Sequence, residues 1–257
     1  MSSRHIAVPA ALVLGVGLLA AAFSRDAPST FSSCSTVLGS EVCTWVGMEG
    51  ATATELGATI PLALIENVPT DVEMVWPPQQ LATIALPAEA RDALGIDHLG
   101  INWEAHGHPP ASFLTQHFDF HFYSITEAEV RAIDCADESK PPRLPARYTL
   151  PDIDVPGMGV FVGLCVPNMG MHAMPADEVH ETHPFEASMM LGYYGAEPIF
   201  FEPMISRDLL LRKADFSLPV PAVVGVPVGV RYPREFRAEY DAEEAQYRLI
   251  FTGFHAD

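Results

Sequence analysis

The segment His117–Tyr123, HFDFHFY, constrains the fold most strongly because its polar and aromatic residues alternate without exception. Side chains of a β-strand point alternately to the two faces of a sheet, so this period of two predicts a strand. Phe118, Phe120 and Phe122 form an aromatic face that needs an apolar core. The opposite face carries the two histidines and Asp119, and it must meet either solvent or a polar pocket.

The rest of the chain favours short strands over long helices. Its 23 prolines interrupt apolar runs, and little helical periodicity remains between them. Short helices are expected after Thr126 (or Ser124) and after Ser206, because a capping hydroxyl precedes acidic residues at both places. We therefore predict an α+β fold that is mostly β, with an antiparallel sheet or a barrel-like core and a few short helices.

The N-terminus differs in composition from the remainder. Arg4 and His5 precede an apolar run over residues 6–23, and small residues at 20 and 22 offer an A-x-A cleavage site. This pattern predicts a secretory signal peptide over residues 1–22. An uncleaved membrane anchor is the alternative, since the run is just long enough to span a bilayer. The protein is then secreted or periplasmic, with no stable membrane insertion if the signal peptide is cleaved.

Two further regions follow the signal peptide. Residues 23–50 begin with a Ser/Thr-rich stretch, 24–40, which we interpret as an N-terminal segment or linker. Residues 51–257 are predicted to form a single β-rich domain. A formal net charge of −19 disfavours nucleic-acid partners, because phosphate backbones are repelled.

The four cysteines fit an oxidising compartment. Three disulfide pairings are possible, and the sequence alone does not choose among them. Proximity along the chain favours Cys34–Cys43 and Cys135–Cys165. Four buried thiols are the alternative.

The histidines are clustered, which indicates a metal site. Five of the ten lie between His98 and His121, and three lie between His172 and His183. His117 and His121 are too far apart on a straight strand to chelate one ion easily. Either one of them acts with Asp119, or both act around a bent strand. The missing ligands must come from other segments.

Two other segments supply candidate ligands. His172 follows Gly170, which permits tight backbone geometry, and Glu202 stands in the apolar run IFFEPM, where a carboxylate is costly unless it is paired or coordinating. We predict one site of three histidines and a carboxylate, with a second set as additional ligands or as partners that orient the imidazoles. The predicted ligands are His117, His121, His172 and Glu202, and the second set is His106, His108 and Asp119.

Imidazole and carboxylate ligands predict a divalent metal ion, with zinc favoured over copper or iron. No GxSxG, HExxH, Walker or GxGxxG motif assigns a catalytic residue. An exported metal-binding protein is the first hypothesis for function. A metal-dependent enzyme acting on a small molecule is the second, and an oligomeric structural or interaction protein is the third.

Four short motifs, GINWEAHGHPP, HFDFHFY, CVPNMGMH and FFEPM, together resemble a family of exported bacterial proteins. The family is grouped as a domain of unknown function, its first described members come from Thermus, and the likeness spans about residues 56–204. The resemblance implies a mostly β exported domain that can form homo-oligomers and that carries its metal site on the histidine positions. The implied site residues are His106, His108, His117, His121, His172 and Glu202. Ala173 stands where the family pattern leads us to expect an aromatic residue, which predicts a changed pocket wall.

Overall fold

The computed structural model describes residues 28–181 and 183–254, and most of the regular structure there is β-strand. The strands in chain order are β1 (Ser29–Val37), β2 (Ser40–Glu49), β3 (Thr52–Pro61), β4 (Gln80–Ala85), β5 (His98–Glu104), β6 (His117–Tyr123), β7 (Tyr148–Thr149), β8 (Ile153–Val155), β9 (Gly159–Phe161), β10 (Met171–Pro175), β11 (Ala187–Tyr194), β12 (Glu197–Ser206), β13 (Phe216–Pro219), β14 (Glu235–Asp241) and β15 (Gln246–Thr252). The helices are α1 (Leu62–Asn67), α2 (Ala88–Leu94), α3 (Glu127–Arg131) and α4 (Arg207–Leu211). Single 3₁₀ turns lie at Ala111–Phe113, Val162–Leu164 and Glu178–His180. The predicted signal peptide, residues 1–22, lies outside the described residues.

The strands form two large antiparallel sheets and one hairpin. The first sheet has the order β1-β2-β3-β15-β14-β13, the second has the order β4-β5-β6-β12-β11-β10-β7, and β8 pairs with β9. This confirms the predicted mostly β fold with a few short helices. Neither sheet closes into a barrel, so of the two predicted architectures the open antiparallel sheet is correct.

The two large sheets pack against each other through aromatic side chains. The rings of Phe122 and Phe201, on the second sheet, lie 5.0 Å and 4.7 Å from the ring of Phe251 on β15. All three rings are fully buried, and burying a ring of this size contributes roughly 1.5–3 kcal/mol. The aromatic face predicted for HFDFHFY therefore lies in the core between the sheets.

The interpretation of residues 23–50 as a linker is wrong for the described part of that segment. β1 pairs with β2 from Ser29 to Val37, so the Ser/Thr-rich stretch is an edge strand of the first sheet. Most side chains of β1 are exposed, which explains why its composition looks like that of a linker. Val42 and Val46 on β2 are fully buried, so this segment contributes to the core.

Both disulfides form in the pairing that proximity favours. Cys34 and Cys43 are directly opposite each other on β1 and β2. Cys135 and Cys165 join the segment after α3 to the segment before β10. The second bond fixes the main chain next to Leu164, whose carbonyl contacts a site histidine.

The two predicted helix starts are also confirmed. Thr126 forms a capping box with Glu129 at the start of α3, and the Ser206 hydroxyl accepts a hydrogen bond from the Leu209 amide at the start of α4. Each helix has only five residues. Within the described part of the chain, no helix is long and apolar enough to span a membrane.

The outer face of the second sheet is polar but buried. His117, Asp119 and His121 on β6 are at most 3% exposed, and on β5 Glu104 lies opposite His117 while Asn102 lies opposite Asp119. Connecting segments and a small apolar cluster cover this face. The cluster consists of Phe113, Leu164, Met174, Met190 and Met204. The fold thus places the polar half of HFDFHFY in a covered pocket and not in solvent.

Candidate metal centre

The first candidate site, the His108 group, consists of His108, His117 and Asp119. The His117 Nε2 atom lies 3.2 Å from His108 Nε2 and 3.2 Å from Asp119 Oδ1. A tetrahedral zinc ion with bonds of about 2.0–2.1 Å separates its ligand atoms by roughly 3.3 Å. Both distances from His117 Nε2 are therefore close to the spacing of ligand atoms around a zinc ion.

Main-chain carbonyls fix the protonation of both imidazoles in this group. His117 Nδ1 donates to the Thr115 carbonyl at 2.7 Å, and His108 Nδ1 donates to the Pro109 carbonyl at 2.8 Å. A neutral imidazole carries one proton, so both Nε2 atoms have lone pairs, and these face each other at 3.2 Å. Asp119 Oδ1 has no hydrogen-bond donor either. A cation between these three electron-rich atoms would offset their mutual repulsion.

A glycine turn brings His108 to the strand. Gly107 has φ +66°, and a Cβ there would lie 2.2 Å from the Phe113 carbonyl oxygen. The His108 amide donates to the same carbonyl, which folds the HGHPP turn back over β6. A larger residue at position 107 would push His108 away from His117.

The second candidate site, the His121 group, consists of His121, His172 and Glu202 from β6, β10 and β12. His121 Nε2 lies 3.5 Å from Glu202 Oε1, and His172 Nε2 lies 3.9 Å from Glu202 Oε2. His172 Nδ1 donates to the Leu164 carbonyl at 3.0 Å, which leaves Nε2 free to coordinate. Both ring nitrogens of His121, and Glu202 Oε2, are buried without a hydrogen-bond partner.

A second glycine positions the two imidazoles of the His121 group. Gly192 lies opposite His172 on β11, and a Cβ there would come within 1.9 Å of the Phe200 ring. The absent side chain lets this ring pack against both histidines, with centroids 4.9 Å from His121 and 5.2 Å from His172. The ring holds the two imidazoles in place without offering them a hydrogen bond.

Burial sets the charge state of the metal-free centre. It lowers the pKa of His117 and of His172 to about 4 and lowers the pKa of His121 well below its ordinary value. Burial also raises the pKa of Asp119 to about 7, and it raises that of Glu202 well above its ordinary value, an effect to which the Asp119 carboxylate adds. A metal ion binds neutral imidazoles, the form that burial already favours. It also binds ionised carboxylates, the form that burial alone disfavours, so a bound ion would stabilise the charged Asp119 and Glu202.

The two groups form the floor of a cavity of about 310 Å³. Of the ligand side chains, His108, Asp119, His172 and Glu202 line it, and Glu104 lies beside them. Burial and the Asp119 carboxylate raise the pKa of Glu104 to about 7. The sites are thus reachable by a small molecule.

The structure divides the ligands that the sequence predicts as one site. His121, His172 and Glu202 come together as expected, but His117 lies in the other group, with His108 and Asp119. The reason is the strand itself, because four residues of an extended chain separate His117 from His121 by roughly 13 Å.

The other predicted residues have mixed outcomes. His108 and Asp119 are candidate ligands in their own right, not only partners of ligands. His106 is exposed, contacts the Val72 carbonyl at 2.8 Å and belongs to neither group. Ala173 is buried in the core between the sheets, so the expected change in the pocket wall is wrong. Glu104 was missed, although the alternating residues of LGINWE place it on the same face as Asn102.

One further group of potential ligands, Cys34, Glu41 and Cys43, has the spacing of a metal site. Its two cysteines form a disulfide, and a disulfide sulfur is not a thiolate ligand. We therefore exclude this group.

Comparisons with family models, curated proteins and solved structures found no match to this chain. The resemblance to the exported family stays a prediction, and the site must be interpreted from its own geometry.

Proposed function

We propose that this protein is an exported metal-binding protein that holds two divalent ions, one in each group, with zinc favoured over copper or iron. The observation that carries the proposal is the pair of Nε2 lone pairs, His108 and His117, facing each other at 3.2 Å beside Asp119 Oδ1. A proton between the imidazoles is disfavoured, because burial lowers the pKa of both histidines. A proton on Asp119 can be donated to only one of the two Nε2 atoms, whereas a metal ion binds all three ligand atoms.

The choice of zinc follows from the ligand types. Each group offers two imidazoles and one carboxylate, a set that suits zinc. Copper(I) would prefer thioethers, and Met174, Met190 and Met204 pack with Phe113 and Leu164 in an apolar cluster. Export is supported by the two disulfides, which persist in oxidising compartments.

A metal-dependent enzyme acting on a small molecule is the second candidate. Structural zinc sites have four protein ligands, whereas catalytic sites have three and keep one position open. Each group here has three protein ligands, and both groups reach the cavity. An ion with an open position polarises a bound carbonyl or phosphoryl oxygen or activates water.

Metal content tests the proposal directly. We expect the purified protein, loaded with zinc and desalted, to hold two ions per chain by elemental analysis. Asp119→Asn and Glu202→Gln should each hold one, because each change removes a ligand from a different group while keeping the side-chain shape. His106→Gln, a histidine beside the cavity but outside both groups, is the matched control and should hold two. Wild-type protein with no bound metal would refute the proposal.

The zinc affinity of the His108 group should depend on pH through its carboxyl group. Asp119 has its pKa raised to about 7, so below that pH a proton must leave before zinc binds. We expect the affinity to fall about tenfold for each pH unit below 7, down to about pH 5. The pKa of His117 is about 4, so this imidazole does not compete in that range. Competition with a fluorescent chelator, measured in Glu202→Gln to isolate this group, gives the slope. A flat profile would contradict this assignment.

A further inference from the structure

The cavity above the metal centre has two contrasting parts. Its floor is polar, with three carboxylates and two of the site histidines, His108 and His172. Its walls are apolar and come mainly from two segments that carry no metal ligand, 74–78 and 155–169, with Pro109 and Leu114 added from the turn of His108. The wall residues from these segments are Met74, Val75, Trp76, Pro78, Val155, Met158, Phe161, Leu164, Val166 and Met169.

The rim of the cavity is apolar and exposed. Met74 is 73% exposed, Val75 50%, Trp76 46% and Met158 48%. Leu114 is 60% exposed and also lines the cavity, so five exposed apolar side chains converge here on a chain with a net charge of −19. Contact of these side chains with an apolar ligand is more favourable than their contact with water.

We propose that the cavity binds a small amphipathic molecule, with its apolar body against the walls and an anionic oxygen head group at the metal-loaded floor. This inference rests on the proposed function, because the ions supply the contact for the head group. It adds the chemical class of the ligand, which the metal site alone does not define.

The charge of the floor selects the head group. Glu104, Asp119 and Glu202 contribute three negative charges when ionised, and two divalent ions contribute four positive charges. The loaded floor then has a net charge of +1, which suits one monoanionic head group such as a carboxylate or hydroxamate. With only one ion the floor has a net charge of −1 and repels the same group.

The size and closure of the cavity favour a small molecule over a protein segment. Its volume of about 310 Å³ is at the lower end of the range for small-molecule sites. The ring of Trp76 contacts that of Phe161 edge-on at 4.9 Å, which joins the two walls.

A series of straight-chain hydroxamic acids, from butanohydroxamic to decanohydroxamic acid, tests the proposal on the full zinc-loaded protein. We expect the dissociation constant, measured by calorimetry, to fall about fourfold per added methylene until the walls are covered, the factor that corresponds to about 0.8 kcal/mol per buried methylene. Removing the zinc should weaken binding at least about tenfold. The alcohols of equal chain length, which lack the anionic head, should show no such dependence on zinc.

Two variants of the β8–β9 hairpin distinguish binding in the cavity from nonspecific hydrophobic binding. Met158→Asp places a charge in the wall, and we expect it to weaken binding of octanohydroxamic acid about tenfold or more. Val160→Asp makes the same change two residues away, at a 61% exposed side chain that does not line the cavity, and it should bind like the wild type. Both positions are exposed enough that neither variant should disturb folding.

The outcomes distinguish the two proposals. A chain that holds no zinc refutes the proposed function and, with it, the head-group contact. Two results refute the amphipathic ligand and leave the metal site unaffected. One is a zinc-loaded protein that binds hydroxamates of all lengths equally well, and the other is a Met158→Asp variant that binds them as tightly as the wild type. Equal binding of hydroxamates and alcohols with and without zinc refutes the head-group assignment.

Discussion

Zinc is expected to raise the melting temperature of the metal-free protein by about 10 °C for each group that it fills. An ion that binds only the folded chain stabilises it by about 4 kcal/mol at a thousand times its dissociation constant. For a domain of this size, 1 kcal/mol shifts the melting temperature by about 2–4 °C. The ligands come from β6, β10, β12 and the turn before β6, so an unfolded chain offers no preformed site. Thermal unfolding followed by circular dichroism, with and without zinc, measures the shift.

Substitutions in one group should remove one part of this shift. His117→Gln deletes a ligand of the His108 group, so about half of the zinc-dependent increase should remain, contributed by the His121 group. His98→Gln is the control, since His98 is a buried histidine on the neighbouring strand β5 and belongs to neither group. It should retain the full increase. Equal zinc-dependent shifts in both variants would show that the ion binds elsewhere.

Glu202→Gln is expected to have effects of opposite sign on the metal-free and the metal-loaded protein. In the metal-free chain, Glu202 is 1% exposed and its Oε2 atom has no hydrogen-bond partner. Replacing it with the neutral amide should raise the free energy of unfolding at pH 7 by about 1–3 kcal/mol, because at that pH the folded wild-type chain must hold a proton that the unfolded chain releases. The same change removes a metal ligand and should weaken zinc binding in the His121 group by about a hundredfold or more, since changing even a partner of a ligand costs about 10–100-fold.

The free energy of unfolding of the metal-free protein should depend on pH through Glu202, and this dependence fixes the sign of the change in Glu202→Gln. Burial raises the pKa of Glu202 well above its ordinary value of 4.5, so the folded chain holds the proton more tightly than the unfolded chain does. The contribution of protonated Glu202 to the free energy of unfolding is fully present below pH 4.5. It is lost as the pH rises toward the pKa of Glu202 in the folded chain. The stabilisation by Glu202→Gln should therefore grow between pH 5 and pH 7. Urea unfolding at both values measures it.

Glu197→Gln provides the matched control for this series. Glu197 is an exposed residue at the start of the same strand, β12, so its replacement should leave the free energy of unfolding nearly unchanged at both values of pH. A Glu202→Gln variant that is less stable than wild type without metal would contradict the idea that this carboxylate is held for a cation.

The strand HFDFHFY shows which features can be predicted from the local residue pattern. Its alternation predicts the strand, the aromatic face and the polar face, because side chains alternate in every β-strand whatever surrounds it. The capped starts of α3 and α4 are local in the same sense. The edge strand β1 was misjudged as a linker because an exposed strand and a linker have similar Ser/Thr-rich composition, and only pairing with β2 distinguishes them.

The cavity walls gave no usable signal in the sequence. Met74, Val75 and Trp76 lie in a proline-bounded segment without regular structure, and their apolar character alone does not indicate exposure. They are instead exposed around the cavity, because the segment folds toward the β8–β9 hairpin, where Trp76 contacts Phe161. No periodicity in either segment indicates that contact.

By itself, the sequence determined that His117, Asp119 and His121 share the polar face of one strand, and that His172 and Glu202 are candidate partners. Only the tertiary structure decided that these residues form two groups. The pairing of β12 with β6 brings Glu202 to His121, and the pairing of β12 with β11 and of β11 with β10 brings His172 to the same place. The Gly107 turn brings His108 to His117. The carbonyls of Thr115 and Leu164 then orient the imidazoles. Such contacts depend on distances between segments far apart in the chain, which local residue patterns do not encode.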